Sequence, residues 1–289
     1  MILMPASDLV TFLQPYLIRQ EPYEQPPFYS VSEEGLRKLA LQQGQGLNAA
    51  MVYCLESGIW PERFRAQKGT YSAQDQIRLL SSTVAVIGTG GLGGAVCLSL
   101  ARVGVGNLRI CDGDGFDQSN LNRQMISSVD RLGRNKAECA AEAIKAINPA
   151  TQVTIFPVWA DESNLPDILG TADVVVDCLD NLKSRYLVEQ AARDKEVPFV
   201  HGAIAGQEGM VMTVFPGDPG LKDLYGPTPP EKSSTAETVL GVPTITPMIT
   251  AGFQASETIN SILGRPVASR KRFMHVDVGA MEIDANELA

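Results

Sequence analysis

The chain has 289 residues, 44% of them hydrophobic and 20% charged, with 26 glycines and 18 prolines. That length suits one large α/β domain or two smaller ones and is ample for a native core. Lysine and arginine number 24 against 33 acidic residues, a formal net charge of −9, which excludes a general electrostatic grip on nucleic acid or anionic membrane.

Met1-Ile2-Leu3-Met4-Pro5 lacks the basic and long apolar regions of a signal peptide, and glycines and an arginine interrupt the most apolar stretch, Val84 to Val105, before it could span a bilayer. A cytoplasmic protein without membrane association is expected. Pro5, Pro15, Pro22, Pro26 and Pro27 break the first thirty residues. Ser32-Glu33-Glu34 then opens a helical pattern through Leu36, Leu39 and Leu41 that Gly44 and Gly46 end. A second helical run, Leu47 to Ser57, stops at Gly58 with Pro61 beyond it. Residues 1–60 thus read as an N-terminal helical extension, and residues 61–289 as the main domain.

From Thr83 the period changes. Val84 to Ile87 is a continuous apolar run bounded by Gly88, the pattern of a strand buried on both faces of a parallel sheet. Leu92 to Val103 reads as a helix, Asn107 to Cys111 as a strand, and Asn135 to Ile147 as a helix stopped by Asn148-Pro149. Further strands are predicted at Gln152 to Val158, Val174 to Cys178, Pro198 to His201 and Met210 to Phe215, with a helix over Asn181 to Asp194. The alternation predicts a Rossmann-like doubly wound α/β sheet, mostly parallel with an antiparallel C-terminal part. Residues 216–245, rich in Pro, Gly, Ser and Thr, read as a long connection, followed by a helix from Pro247 to Leu263 and a strand from Phe273 to Val278.

Cys54, Cys97, Cys111, Cys139 and Cys178 are odd in number and contain no C-x-x-C pair, the pattern of buried thiols in a reducing compartment. His201 and His275 alone cannot make an all-histidine metal cluster. His201 ends a predicted strand and reads as a satisfied buried histidine.

The loop Gly88-Thr89-Gly90-Gly91-Leu92-Gly93-Gly94 follows a strand and opens a helix, where backbone N–H groups and the positive helix end can hold phosphate. Asp112 ends the next strand, where a carboxylate accepts hydrogen bonds from a ribose. These two features suit a nicotinamide-dependent enzyme as well as an ATP-using one.

The residues after Asp112 separate the two. Asp112-Gly113-Asp114-Gly115-Phe116-Asp117-Gln118-Ser119-Asn120-Leu121-Asn122-Arg123-Gln124, then Gly133-Arg134-Asn135-Lys136, then Asp177-Cys178-Leu179-Asp180-Asn181 resemble the ubiquitin-activating (E1)-like superfamily, and within it the HesA/MoeB/ThiF adenylyltransferases, over about residues 61–280. The resemblance implies ATP-dependent adenylation of the C-terminal glycine carboxylate of a small ubiquitin-like sulfur carrier ending in Gly-Gly, by a homodimer. It implies Arg123 and Lys136 on the phosphates and Asp180 holding Mg²⁺, these three being the catalytic set. It further implies polar contacts from Asp114, Ser119, Asn120, Gln124 and Asn181, Asp112 on the ribose, and close backbone approach at Gly88, Gly90 and Gly91.

Three departures qualify the resemblance. The two C-x-x-C pairs that bind zinc in many relatives are absent, so no zinc is expected. Residues 216–245 contain no cysteine, so the reaction is expected to stop at the adenylate without a thioester. The family's R-[YF]-x-R motif, which lends an arginine to the partner subunit's ATP, reads Arg63-Phe64-Arg65-Ala66 here, leaving Arg63 or Arg65 for that role. Two other readings stay open: activation of a small carboxylate or tRNA base, which the acidic balance disfavours for tRNA, and a catalytically weak ATP-binding scaffold that docks a carrier.

Overall fold

Residues 5–23, 26–228 and 239–288 are described by the structure, a computed structural model. The N-terminal part is a small layer. Helix α1 (Ala6–Leu13) leads into strands β1 (Leu17–Gln20) and β2 (Phe28–Val31), paired antiparallel with Leu17 opposite Val31. Helices α2 (Glu33–Gln43) and α3 (Leu47–Glu56) follow, and β3 (Trp60–Pro61) adds parallel to β2. Ser32 caps α2 by accepting a hydrogen bond from the Gly35 amide, and Gly44 ends it in the left-handed conformation at φ 60°. The two predicted helices are therefore present, and the three-stranded sheet is an addition: four-residue strands between prolines carry too few positions to show a period.

Leu9, Leu13, Leu36, Leu39, Met51 and Trp60 pack with Phe64, Leu80 and Ala150 into a core of their own. Leu80 lies on α4 (Ala73–Ser81), just before the main sheet starts, so the layer sits against the end at which the main strands begin. The main sheet is built from β4 (Thr83–Ile87), β5 (Asn107–Cys111), β6 (Gln152–Phe156), β7 (Val174–Asp177), β8 (Phe199–Ala205), β9 (Glu208–Val214), β10 (Arg272–Asp277) and β11 (Glu282–Glu287). Their order is β11-β10-β9-β8-β7-β4-β5-β6, parallel from β8 to β6 and antiparallel from β8 to β11.

Helices α5 (Gly91–Val103), α6 (Lys136–Ile147) and α10 (Ile245–Leu263) cover one face. Helices α7 (Leu165–Leu169), α8 (Leu182–Asp194) and α9 (Leu221–Tyr225) cover the other. Val84, Val86 and Val176 face the first layer and Ala85, Ile87 and Val175 the second, which is why these strands read as unbroken apolar runs. From β4 the chain winds outward through β5 and β6, then returns to lay β7 on the other side of β4. That reversal opens a crevice at the strands' C-terminal ends, where ligands bind in this architecture.

Three predicted boundaries move. Strand β8 continues past His201 to Ala205 because it pairs with β9 over seven residues, Phe199 opposite Val214 through Ala205 opposite Glu208. The connection at 216–245 contains α9, and its residues 229–238 lie outside the described residues. Strand β11 is exposed throughout and rich in acidic residues, which hides it from a burial-based reading. Among the described residues no helix is long and apolar enough to cross a membrane.

Candidate active site

A cleft opens at the crevice, walled by Gly88, Gly90 and Gly91 of the glycine loop, Asp112 to Asp114 after β5, Arg123, Gln124, Lys136, Val158 to Ala160 after β6, and Cys178 to Asp180 after β7. Ile204 and Val242 close its remaining side. Nine of the residues assigned from the sequence, Gly88, Gly90, Gly91, Asp112, Asp114, Arg123, Gln124, Lys136 and Asp180, meet there although more than ninety positions separate the first from the last.

The glycine loop takes its shape from two close approaches. Gly88 has φ +89°, and a Cβ on it would lie 2.7 Å from the Cys178 carbonyl oxygen; a Cβ on Gly93 would lie 1.8 Å from the Gly88 oxygen. Strand, loop and α5 are thereby pressed together so that the first turn of α5 points its N–H groups into the cleft. Thr89, wholly buried, braces the loop: its amide and hydroxyl donate to Asp112 Oδ2 at 2.7 and 3.1 Å. The Asp114 amide donates to Asp112 Oδ1 at 2.9 Å. The carboxylate is thus held in place from two sides, with lone pairs to spare for a ligand hydroxyl.

Lys136 begins α6 and is only 7% exposed, its ammonium 3.1 Å from Asp114 Oδ2. Asn135 sets this position, accepting from the Glu138 amide as N-cap and donating to the Asp112 and Asp114 carbonyls at 3.0 and 3.2 Å. The Arg123 guanidinium donates to Ser119 O at 2.8 Å and Asn122 Oδ1 at 3.0 Å. Among the described residues no carboxylate pairs with it, so its charge is available to an anion. Gln124 is 7% exposed at the cleft wall and its buried Oε1 has no hydrogen-bond partner, an orphan that a ligand can satisfy.

Ser119, Asn120 and Asn181 do not line the cleft. Asn120 is buried, accepting from the Asp117 amide at 3.1 Å; Ser119 contributes its carbonyl to Arg123; and Asn181 caps α8 by accepting from Ser184 N at 2.9 Å. All three shape the loops that carry Arg123 and Asp180. Arg63 is placed elsewhere altogether. Its guanidinium donates to Ile147 O, Asn148 Oδ1 and Glu33 Oε2 at 3.1, 2.9 and 2.8 Å, tying α2 to the C-terminus of α6. Lys136 begins that helix, so at 1.5 Å per residue Arg63 sits roughly 17 Å of helix away from the cleft. Arg65, half-exposed, pairs with Glu62 at 2.9 Å. Neither reaches the cleft of its own chain.

Four contributors escape sequence reasoning: Thr89, Asn135, Ile204 and Trp159. Trp159 is 66% exposed, and its ring lies against the backbone of Gly113, where a Cβ would come within 2.8 Å of the indole. The signal in the sequence was its place, a large aromatic three residues past the end of β6.

Asp180 offers an exposed carboxylate at the cleft, a donor that fits a magnesium ion arriving with nucleotide. Among the described residues no three His, Cys, Asp or Glu side chains converge on a metal position. A hard cation held by one carboxylate, phosphate oxygens and water needs no more.

Comparison with known families matches residues 64–288 to the ThiF family. The SAMP-activating enzyme E1 of Haloferax volcanii is 36% identical over 212 residues, 73% of this chain and 78% of that one. Adenylyltransferase and sulfurtransferase MOCS3 of Arabidopsis thaliana is 35% identical over 226 residues, 75% of this chain, which spans about half (48%) of that longer protein. Among solved structures, E. coli MccB with ATP aligns at a TM-score of 0.66 and 18% identity, covering 88% of this chain and 82% of that one, a likeness of fold. With the motifs gathered in one cleft and the match running over most of its length, the chain belongs to the ThiF family of E1-like adenylyltransferases.

Proposed function

We propose that this chain adenylates the C-terminal glycine carboxylate of a small ubiquitin-like sulfur carrier with Mg-ATP, as a homodimer, and that its reaction stops at the acyl-adenylate. The observation that carries the reading is the convergence of Asp112, Arg123, Lys136 and Asp180 on one cleft beside a helix N-terminus. Residues 61–289 form the adenylation unit in this reading, and residues 1–60 an accessory layer.

The incoming carboxylate oxygen forms a bond to the α-phosphorus as the bond to the β-phosphate bridging oxygen breaks, and pyrophosphate leaves with that electron pair. Positioning and charge supply most of the acceleration in such a transfer. Asp112 orients the ribose, the α5 N-terminus and Lys136 hold phosphate oxygens, and Arg123 faces the departing charge. Asp180 is the residue that would hold Mg²⁺, which would supply positive charge against the phosphate oxygens. Arg63 is held by three partners of its own chain, whereas half-exposed Arg65 has a single surface pair with Glu62 that it can leave to reach a partner subunit's cleft in the dimer.

The burial of the thiols supports a reaction without a thioester: it pushes Cys54, Cys97 and Cys111 up to about 12, Cys178 well above its ordinary value, and Cys139 upward too. ATP–pyrophosphate exchange dependent on a carrier ending in Gly-Gly is the expected result, with no thiol-labile carrier adduct on a non-reducing gel. Exchange that appears with no such carrier refutes the substrate assignment, and a thiol-labile adduct refutes the adenylate endpoint.

Trp159 gives a second readout. Trp60 is 4% exposed in the N-terminal core while Trp159 stands at the cleft, so ATP should quench the exposed component of the emission. Base–aromatic stacking is worth roughly 1–3 kcal/mol, so Trp159→Ala should weaken ATP binding about ten-fold. An unchanged affinity by calorimetry places the base elsewhere.

A further inference from the structure

Beneath the cleft lies a chain of buried polar groups that the chemistry above does not use. His201 on β8 and Asp177 at the end of β7 are both wholly buried. His201 Nδ1 is 2.7 Å from Asp177 Oδ2, and Nε2 is 3.0 Å from the hydroxyl of Tyr225, the last residue of α9. The carboxylate accepts, so Nδ1 carries the proton and Nε2 accepts from the tyrosine hydroxyl. Burial lowers the pKa of His201, in keeping with the neutral ring this pattern needs.

The chain is anchored at both ends. Asp177 Oδ1 accepts from the Leu179 amide at 3.0 Å, Arg185 donates to the Leu179 carbonyl at 2.5 and 3.2 Å, and Gln254 of α10 donates to the Asp177 carbonyl at 2.8 Å. These contacts fix the turn Cys178-Leu179-Asp180 that walls the cleft. At the other end, α9 is held through Tyr225 and through the Tyr186 hydroxyl, which donates to Gly226 O at 2.8 Å. None of Asp177, His201 and Tyr225 lines the cleft itself.

The cleft has two sides of different character. Gly88 to Gly91, Asp112, Lys136 and Trp159 form the side built on β4, β5 and β6, with the phosphate- and ribose-binding groups. The other side follows β7 and β8, where Leu179 and Ile204, joined by Val242 from the connection before α10, give an apolar lining next to Asp180. A carboxylate attacking the α-phosphorus in line must enter from the side that nucleotide does not fill.

We infer that Asp177, His201 and Tyr225 form a positioning relay that locks the Leu179–Asp180 turn to α9 and so sets where the acyl substrate meets the nucleotide, an inference that rests on the adenylation reading above. It acts through geometry: the three groups neither touch substrate nor transfer a proton in the reaction. A misplacement of about 1 Å between reacting groups can cost up to roughly 100-fold in rate, so a link of this kind has kinetic weight beyond its stability.

Tyr225→Phe cuts the relay with the least disturbance, removing one hydroxyl from a half-buried ring. In carrier-dependent ATP–pyrophosphate exchange the variant should show KM for the carrier raised about ten-fold and kcat lowered several-fold. Its affinity for ATP without Mg²⁺, read by calorimetry, should stay within two-fold of wild type, because the turn carries the metal-facing Asp180 and none of the groups assigned to the ribose and phosphates. His201→Asn should reproduce the pattern, and the double variant should be no worse than the poorer single one, because both break the same link. Tyr225→Phe with wild-type KM and kcat overturns the relay, as does a variant that loses ATP affinity in proportion to carrier KM, or one whose only change is a lower Tm. Wild-type protein without any carrier-dependent exchange instead overturns the adenylation reading, so the two failures are distinguishable.

Discussion

Lys136→Met should lower carrier-dependent ATP–pyrophosphate exchange by about 10³-fold while leaving the fold in place, the loss of about 4 kcal/mol of transition-state stabilisation. The ammonium is nearly enclosed, with Asp114 as its ion-pair partner at 3.1 Å. Methionine replaces the buried stem at similar length, and the Asp114 carboxylate left behind is half-exposed and falls back on water, so the stability cost should be within about 1 kcal/mol. The loss must then come from phosphate oxygens that no longer meet a fixed cation. Exchange kinetics beside a thermal melt decide it: activity within ten-fold of wild type removes Lys136 from the phosphate site, and a collapsed Tm would make the residue a structural one. Lys136→Arg is expected to recover little, because a guanidinium is too broad for a pocket set by Asn135 at the first turn of α6.

Lys136 entered the reading through the resemblance carried by Gly133-Arg134-Asn135-Lys136, whereas the glycine turn and helix start that suit a phosphate show in one dimension by themselves. So do the buried strands, because Val84 to Ile87 and Val174 to Val176 are covered on both faces and leave an unbroken apolar run. What was hidden depends on contacts between distant segments. Trp159 becomes a cleft residue only because β5 and β6 are neighbours and Gly113 leaves room for an indole. Arg63 looks like a free cation beside Arg65 until Asn148, 85 positions later, and Glu33, 30 positions earlier, claim its guanidinium. Asn120 and Asn181 have the right chemistry for a polar ligand contact, yet each satisfies a backbone amide at a turn, the commonest employment of asparagine in such loops. Tyr225 lay in a stretch whose prolines and glycines masked a five-residue helix.

Gly93→Ala should lower Tm by roughly 10 °C and abolish ATP binding in whatever fraction still folds. Its Cβ would fall 1.8 Å from the Gly88 oxygen, 2.8 Å from the Gly88 carbonyl carbon and 3.1 Å from Cys178 Cβ. Real Cβ atoms do not approach backbone so closely, so strand and helix must part. The Gly88 side cannot yield cheaply, since its amide donates to Cys111 O at 2.8 Å and there is no room beside it, a Cβ there falling 2.7 Å from the Cys178 carbonyl oxygen. Overpacking against fixed backbone costs up to about 3 kcal/mol, which for a chain of this size is a fall in Tm of that order. The functional loss is separate from the stability loss, because moving α5 away from β4 re-aims the N–H groups that hold phosphate and breaks the Thr89–Asp112 brace. Gly252→Ala distinguishes this from a general intolerance of alanine. Gly252 lies in α10 with nothing within 4 Å of a Cβ, so alanine there should stabilise by up to about 1 kcal/mol through helix propensity and leave ATP affinity unchanged. Calorimetric ATP titration of both variants, with melts alongside, checks the pair: Gly93→Ala that binds ATP normally would show that the close approach of α5 to the strand is not what shapes the phosphate site.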